Sequence, residues 1–181
     1  MKTNQKIAVL GLFTAIIILL ANTVGFIPIG PLAVTILHIP VIACAFLYGR
    51  AMGASLGLIF GLVSLFRAYT QPSPTSFIMM NPLVSVVPRL AFGYLSGLIY
   101  EKLIANKSHY KLRLALGAGL ATAIHSILVL GSLWLIYSKA YVEVLDKAVG
   151  AIILASLANM AGEIIVAALV VPALVVLVKR K

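Results

Sequence analysis

Residues 83–103 read LVSVVPRLAFGYLSGLIYEKL, and the rest of the chain is read from this stretch. As a helix rising about 1.5 Å per residue, it is long enough to cross a hydrocarbon core of about 30 Å. Its middle carries one charge, Arg89, directly after Pro88. A guanidinium stays protonated at any ordinary pH. At bilayer depth that charge costs at least about 2.5–3.5 kcal/mol on insertion scales. Arg89 therefore needs a compensating partner, which is either a buried ion pair or a bound anion.

The stretch is typical of the whole chain. Of 181 residues, 62% are hydrophobic and 10% charged, with a mean hydropathy of +1.14, far too apolar for a soluble domain. An integral membrane protein follows, of fold class all-α. Six transmembrane helices are expected: Lys6–Phe26, Leu32–Tyr48, Ala51–Tyr69, Leu83–Leu103, Leu112–Tyr137 and Ala148–Val178, each bound approximate. The FIPIGP turn ends the first, where Pro28, Gly30 and Pro31 break a helix. The last is longer than a bilayer needs, so it tilts or begins outside the hydrocarbon. Residues 1–181 then form one transmembrane domain, with no segment left over for an ATPase or other catalytic module.

The formal net charge is +10. In a soluble chain this would point to nucleic acid; here the cations flank spans and set topology. Six spans put both termini on one side, with Lys2, Lys6, Arg50, Lys102, Lys107, Lys111, Arg113, Lys179, Arg180 and Lys181. The positive-inside rule makes that side, and both termini, cytoplasmic. The opposite side has Lys139 and Lys147 in its loops, with Arg67 and Arg89 near or within span ends. The outer segments QPSPTSFIMMNP (71–82) and 134–147 carry amides, hydroxyls and aromatics suited to cover a site.

The intramembrane polar set is short: His38, Arg89, His125, Asn159 and Glu163. Asn159 and Glu163 are four apart and share a helical face. Arg89 lies about 10 Å below the outer end of its span and Asn159 about 16 Å from the start of its own, so these groups can line one cavity. Glu163 is the rival to a bound anion as partner of Arg89. The histidines are open to two readings, satisfied core residues or ligands. A guanidinium fork beside Asn, His and outer-loop amides suits a small carboxylate. No metal signature is present: no HExxH, no CxxC and few carboxylates. No catalytic dyad stands out beyond His125 with Glu163, and no cofactor or enzyme activity is expected. The single Cys44 reads as packing.

Gly49, Gly53, Gly57 and Gly61 fall on one helical face. They either pack tightly inside the monomer or form a sliding or partner surface. Gly11 and Ala15 pose the same choice between internal packing and a docking face.

Residues 30–68, GPLAVTILHIPVIACAFLYGRAMGASLGLIFGLVSLFRA, add a family resemblance. The His-Ile-Pro run, the aromatic-Gly turn and the Gly-rich third span ending in Ser-Leu-Phe resemble the substrate-binding S components of energy-coupling factor (ECF) vitamin transporters. QPSPTSFIMMNP followed by PRLAFGYLSG continues the likeness, and the LHIP and NP–PR elements look most like the pantothenate-type members. The resemblance implies a subunit of an ABC-type complex in the cell membrane that captures a vitamin from outside. It implies docking on a transmembrane coupling subunit driven by two cytoplasmic ATPases. The family's docking motif is Ala-x-x-x-Ala; Gly11 and Ala15 stand at the matching positions. With a small anionic vitamin such as pantothenate, Arg89 is expected to hold the carboxylate. Asn159, His125, Gln71 and Asn81 are expected to bond the polar remainder, with Trp134 packing beside it, Glu163 and His38 completing the site, and the third outer loop as a lid. Folate or niacin would also supply an anion. Readings from other classes are a self-contained oligomeric permease or channel and a small membrane enzyme.

Overall fold

The computed structural model describes residues 2–23, 26–29, 32–71, 79–105, 107–145 and 149–179, with side chains described in all of these except 26–29, 32–34, 137–145 and 149–158. The order is α1 (Thr3–Asn22), β1 (Phe26–Ile29), β2 (Leu32–Thr35), α2 (Ile39–Tyr48), α3 (Arg50–Thr70), α4 (Pro82–Ser85), α5 (Val87–Ile99), a π-helical turn (Tyr100–Ile104), α6 (Tyr110–Leu145) and α7 (Val149–Lys179). The architecture is an all-α bundle with one small hairpin. Among the described residues, five helical segments are long and apolar enough to cross a membrane.

The second expected span, residues 32–48, differs from the sequence reading. Its first part is a strand, with β2 antiparallel to β1 and Phe26 opposite Thr35, and only Ile39–Tyr48 is helical. Pro40 sets that boundary, because proline is favoured in the first turn of a helix and unsuited to its interior. Ten residues of helix rise only about 15 Å, half a hydrocarbon core. All of α2 from Ile39 to Phe46 is nevertheless buried, so it runs inside the bundle and not against lipid.

A second correction concerns the third outer loop. Residues 138–145 continue α6, which reaches Leu145 over 36 residues. The segment SKAYVEVL is polar but lacks Gly and Pro, and nothing in its backbone propensity stops a helix. Any lid there is therefore helical through residue 145. The other outer segment suited to cover a site, 71–82, falls partly on residues 72–78, which lie outside the described residues.

The glycine face of α3 packs inside the chain. A Cβ built on Gly53 would lie 2.4 Å from the Gly93 carbonyl oxygen, and one on Gly57 2.2 Å from that of Arg89. Gly93 returns the contact at 2.1 Å from Gly53 O. Backbone therefore meets backbone along α3 and α5. Gly49 serves differently: at φ 88° it makes the left-handed turn between α2 and α3.

The chain alternates direction, so α1, α3 and α6 finish at one end, where α2, α5 and α7 begin. The opposite end is basic and tied together. Lys179 Nζ donates to Tyr100 OH, which lies 3.3 Å from Tyr110 OH, and Arg50 pairs with Glu101 at 3.8 Å.

Candidate functional site

Pro88 is the local cause of the site. It has no N–H, so the Val84 carbonyl four residues earlier loses its helical donor. The helix breaks there into α4 and α5. Arg89 turns back into the break, its Nη1 donating to Ser85 O at 2.7 Å and Val84 O at 3.3 Å. The guanidinium thus caps the carbonyl end of α4, where a cation is electrostatically favoured. It is buried, at 8% exposure, and its Cζ lies 4.9 Å from the centre of the Phe60 ring. Carbonyl caps and an aromatic face lower the charge's cost but do not neutralise it. Its Nε has no hydrogen-bond partner.

Beyond Phe60 and Phe92 stands His125, whose ring centre is 4.7 Å from Phe92 and 5.9 Å from Phe60. His38 stacks on His125 at 5.6 Å with planes 14° apart. His38, His125 and Glu163 each place one ligating atom within 4.8 Å of the others, and all three are buried. Both nitrogens of both rings lack partners, as does Asn159 Oδ1, one turn from Glu163 on α7. Bilayer hydrocarbon cannot satisfy these atoms. Each buried, unpaired polar group costs about 1–3 kcal/mol. A polar guest placed among them could satisfy them.

Glu163 is committed elsewhere in part. Its Oε1 accepts the Thr35 N–H at 2.9 Å, clamping β2 onto α7. Among the described residues the one ion pair is Arg50–Glu101, so Arg89 is not paired with Glu163. Replacing Glu163 with alanine is expected to lower stability by about 1–3 kcal/mol, because a buried backbone donor loses its acceptor. Glu163→Gln retains an acceptor and should recover most of it; thermal unfolding of both variants in detergent measures this.

The sequence pattern held no metal signature, yet His38, His125 and Glu163 come together as potential ligands. Three separate elements supply them, so no local spacing could announce them. The two imidazole planes are nearly parallel and stacked, which directs their lone pairs side by side instead of to one point. Tetrahedral coordination at about 2.0–2.1 Å needs convergent lone pairs. The arrangement suits hydrogen bonds to an organic ligand.

His38, His125 and Glu163 thus meet, Arg89 lies across the Phe60 and Phe92 rings from His125, and Asn159 is one turn from Glu163 on α7, whereas Gln71, Asn81 and Trp134 are engaged or directed elsewhere. Gln71 is exposed, accepts from Arg67 Nη2 at 2.8 Å and donates to Asn22 Oδ1 at 3.4 Å, on the α1 side of α3. Asn81 Oδ1 accepts the Leu83 N–H at 3.0 Å, as an N-cap of α4. Trp134 is 67% exposed on the outward face of α6. An indole facing lipid needs no protein partner, and its size alone was a poor guide to its direction. Phe60, Phe92 and Thr35 were missed. Phe92 had a signal, since it lies three residues from Arg89 on one helical face; Phe60 and Thr35 had none.

Residues 5–175 match the family model described as ECF transporter, substrate-specific component. The chain belongs to that family of S components. Two named relatives agree. The S component is 33% identical over 195 aligned residues to the pantothenic acid transporter PanT of Lactococcus lactis subsp. cremoris (strain MG1363), covering 94% of this chain and 92% of that protein. It is 35% identical over 124 residues to the pantothenate transporter PanT of Leuconostoc mesenteroides subsp. mesenteroides, covering 64% of this chain and 61% of that protein. As an S component it is a multi-pass protein of the cell membrane that binds a substrate for transport. The family is one of transporter components and not of enzymes.

Proposed function

We propose that this S component captures pantothenate from outside the cell, with both termini in the cytoplasm, and delivers it by docking on a transmembrane coupling subunit powered by two ATPases. The observation that carries the reading is the buried set of unpartnered polar atoms: Arg89 Nε, four imidazole nitrogens and Asn159 Oδ1. Together they ask for a small guest with one anionic end and several hydroxyl or amide groups. Pantothenate has a carboxylate at one end, a central amide and two hydroxyls at the other. Arg89 takes the carboxylate, since a charged hydrogen bond compensates its desolvation. The hydroxyl end lies toward Glu163, because two carboxylates would repel. Asn159 Oδ1 accepts from an amide or hydroxyl, and each histidine donates or accepts as its tautomer allows. Two relatives carry pantothenate in their names, which selects this vitamin among the anionic ones.

Calorimetry on the purified chain tests it. Pantothenate is expected to bind one to one. Pantothenol, which has an alcohol in place of the carboxylate, is expected to bind at least about tenfold more weakly, since a charged contact is worth about 1.5–3 kcal/mol. Equal binding of the two, or binding of folate or niacin and not pantothenate, would refute the assignment.

Docking has its own support. Gly11 and Ala15 both lie on the exposed side of α1, and a Cβ on Gly11 would meet nothing within 4 Å. Internal packing therefore does not account for the small pair, and a close helix approach from another subunit does. Gly11→Trp is expected to abolish co-purification with the coupling subunit and ATPases while leaving pantothenate affinity unchanged. Uptake by the purified chain alone in vesicles would instead favour a self-contained permease.

A further inference from the structure

Phe60 stands between Gly57 and Gly61 on α3, and both glycines bring the α3 backbone against the break that Arg89 fills. A Cβ on Gly57 would lie 2.2 Å from Arg89 O. One on Gly61 would lie 2.7 Å from Val86 Cα and 3.0 Å from Ser85 O, the carbonyl that accepts from Arg89 Nη1. Backbone fixed at both points leaves the side chain between them little latitude. The Phe60 ring is buried, with Arg89 Cζ 4.9 Å from its centre and the His125 ring centre at 5.9 Å. One rigid side chain thus spaces the guanidinium from the imidazole.

The donors of that guanidinium are unequally spent. Nη1 serves the Ser85 and Val84 carbonyls. Nη2 meets Met79 Sδ at 4.0 Å, a weak acceptor, and Nε has no partner. Nε and Nη2 form one edge of the fork, and such an edge matches the two oxygens of a carboxylate. The Nη1 bonds alone leave the group free to swing about them. An aromatic ring close to the charge restrains it, because the ring attracts the cation without taking up a donor.

We propose, resting on the pantothenate reading above, that Phe60 is a positioning residue that gives the site its selectivity for a carboxylate. Its ring, locked by the glycine seam, holds Arg89 with the Nε–Nη2 edge open to the guest.

Calorimetry with pantothenate and pantothenol on the unaltered chain, Phe60→Leu and Phe92→Leu tests it. Leucine is apolar and similar in bulk but offers no ring to a cation. Phe60→Leu is expected to lose about fivefold to thirtyfold in pantothenate affinity, the effect of a desolvated cation–π contact, and less than about twofold in pantothenol affinity. Phe92→Leu removes an equal ring, packed on His125 at 4.7 Å, and should leave the preference between the two ligands unchanged. Thermal unfolding shows that each variant is folded. Phe60→Met, whose flexible chain refills the space, carries the same expectation should the leucine variant not fold. Equal weakening of both ligands by loss of the Phe60 ring overturns the proposal, as does an equal fall in preference in Phe92→Leu. An unaltered chain that binds pantothenate no better than pantothenol refutes the vitamin assignment and the role of Phe60 with it. A preference that survives the loss of the Phe60 ring refutes the role of Phe60 alone.

Discussion

Arg89→Ala is expected to weaken pantothenate binding at least about tenfold. The lost charge-assisted contact alone is worth about 1.5–3 kcal/mol, a weakening of roughly tenfold to a hundredfold. A second loss adds to it. The Val84 and Ser85 carbonyls lose the donor that caps them at the Pro88 break. Binding and folding effects must therefore be separated, and Pro88 provides the means. In Pro88→Ala the regained N–H can bond the Val84 carbonyl and close the break. The double variant Pro88→Ala with Arg89→Ala should thus unfold at a higher temperature than Arg89→Ala alone, yet bind no better. Recovery of affinity in the double variant would mean that Arg89 acts only as a cap. Arg89→Lys should bind weakly, since an ammonium lacks the fork that spans carbonyls and ligand together.

The largest expected effect on folding comes from the α3–α5 seam. Gly57→Leu and Gly93→Leu each drive a side chain into backbone, 2.2 Å from Arg89 O and 2.1 Å from Gly53 O respectively. Overpacking ordinarily costs about 1–3 kcal/mol, and backbone cannot step aside as a side chain does, so the upper part of that range or more is expected. Loss of monodisperse protein in size-exclusion chromatography, or a large fall in the unfolding midpoint, is the readout. Gly131→Ala is the control. Nothing lies within 4 Å of its added Cβ, so the replacement should gain the helix propensity of alanine, up to about 1 kcal/mol. The seam also carries Arg89 on α5. A Gly57 variant that folds should therefore bind pantothenate less well, because its clash is with Arg89 itself.

Local chemistry made part of this legible. The spans of α1, α3 and α7 stood out because each must partition into hydrocarbon, a property of composition within one window. Arg89 stood out for the opposite reason, as a charge with no local compensation. The glycine spacing announced a close helix contact, and Pro88 beside Arg89 already held the cause of the capped break. Polarity is a poor stand-in for backbone propensity. The charges of SKAYVEVL suggest a loop, yet the segment is helix for want of a breaker. The hydrophobicity of residues 32–48 suggests one span, yet Pro40 divides them into strand and helix. Being polar or aromatic near the outer end says nothing of the direction in which Gln71, Asn81 or Trp134 points.

By itself, then, the sequence established a polytopic α-helical membrane protein, its family resemblance, an expensive cation in the fourth span, and a small set of polar residues able to answer it. Tertiary structure alone decided that His38, His125 and Glu163 meet, that Arg89 caps carbonyls instead of pairing with Glu163, and that Gly11 faces outward while Gly57 faces in. The difference is physical. Partition into a bilayer and the breaking of a helix are settled within a few residues. Which side chains converge depends on the rotation of each helix against its neighbours, and that is set by packing across residues far apart in the chain.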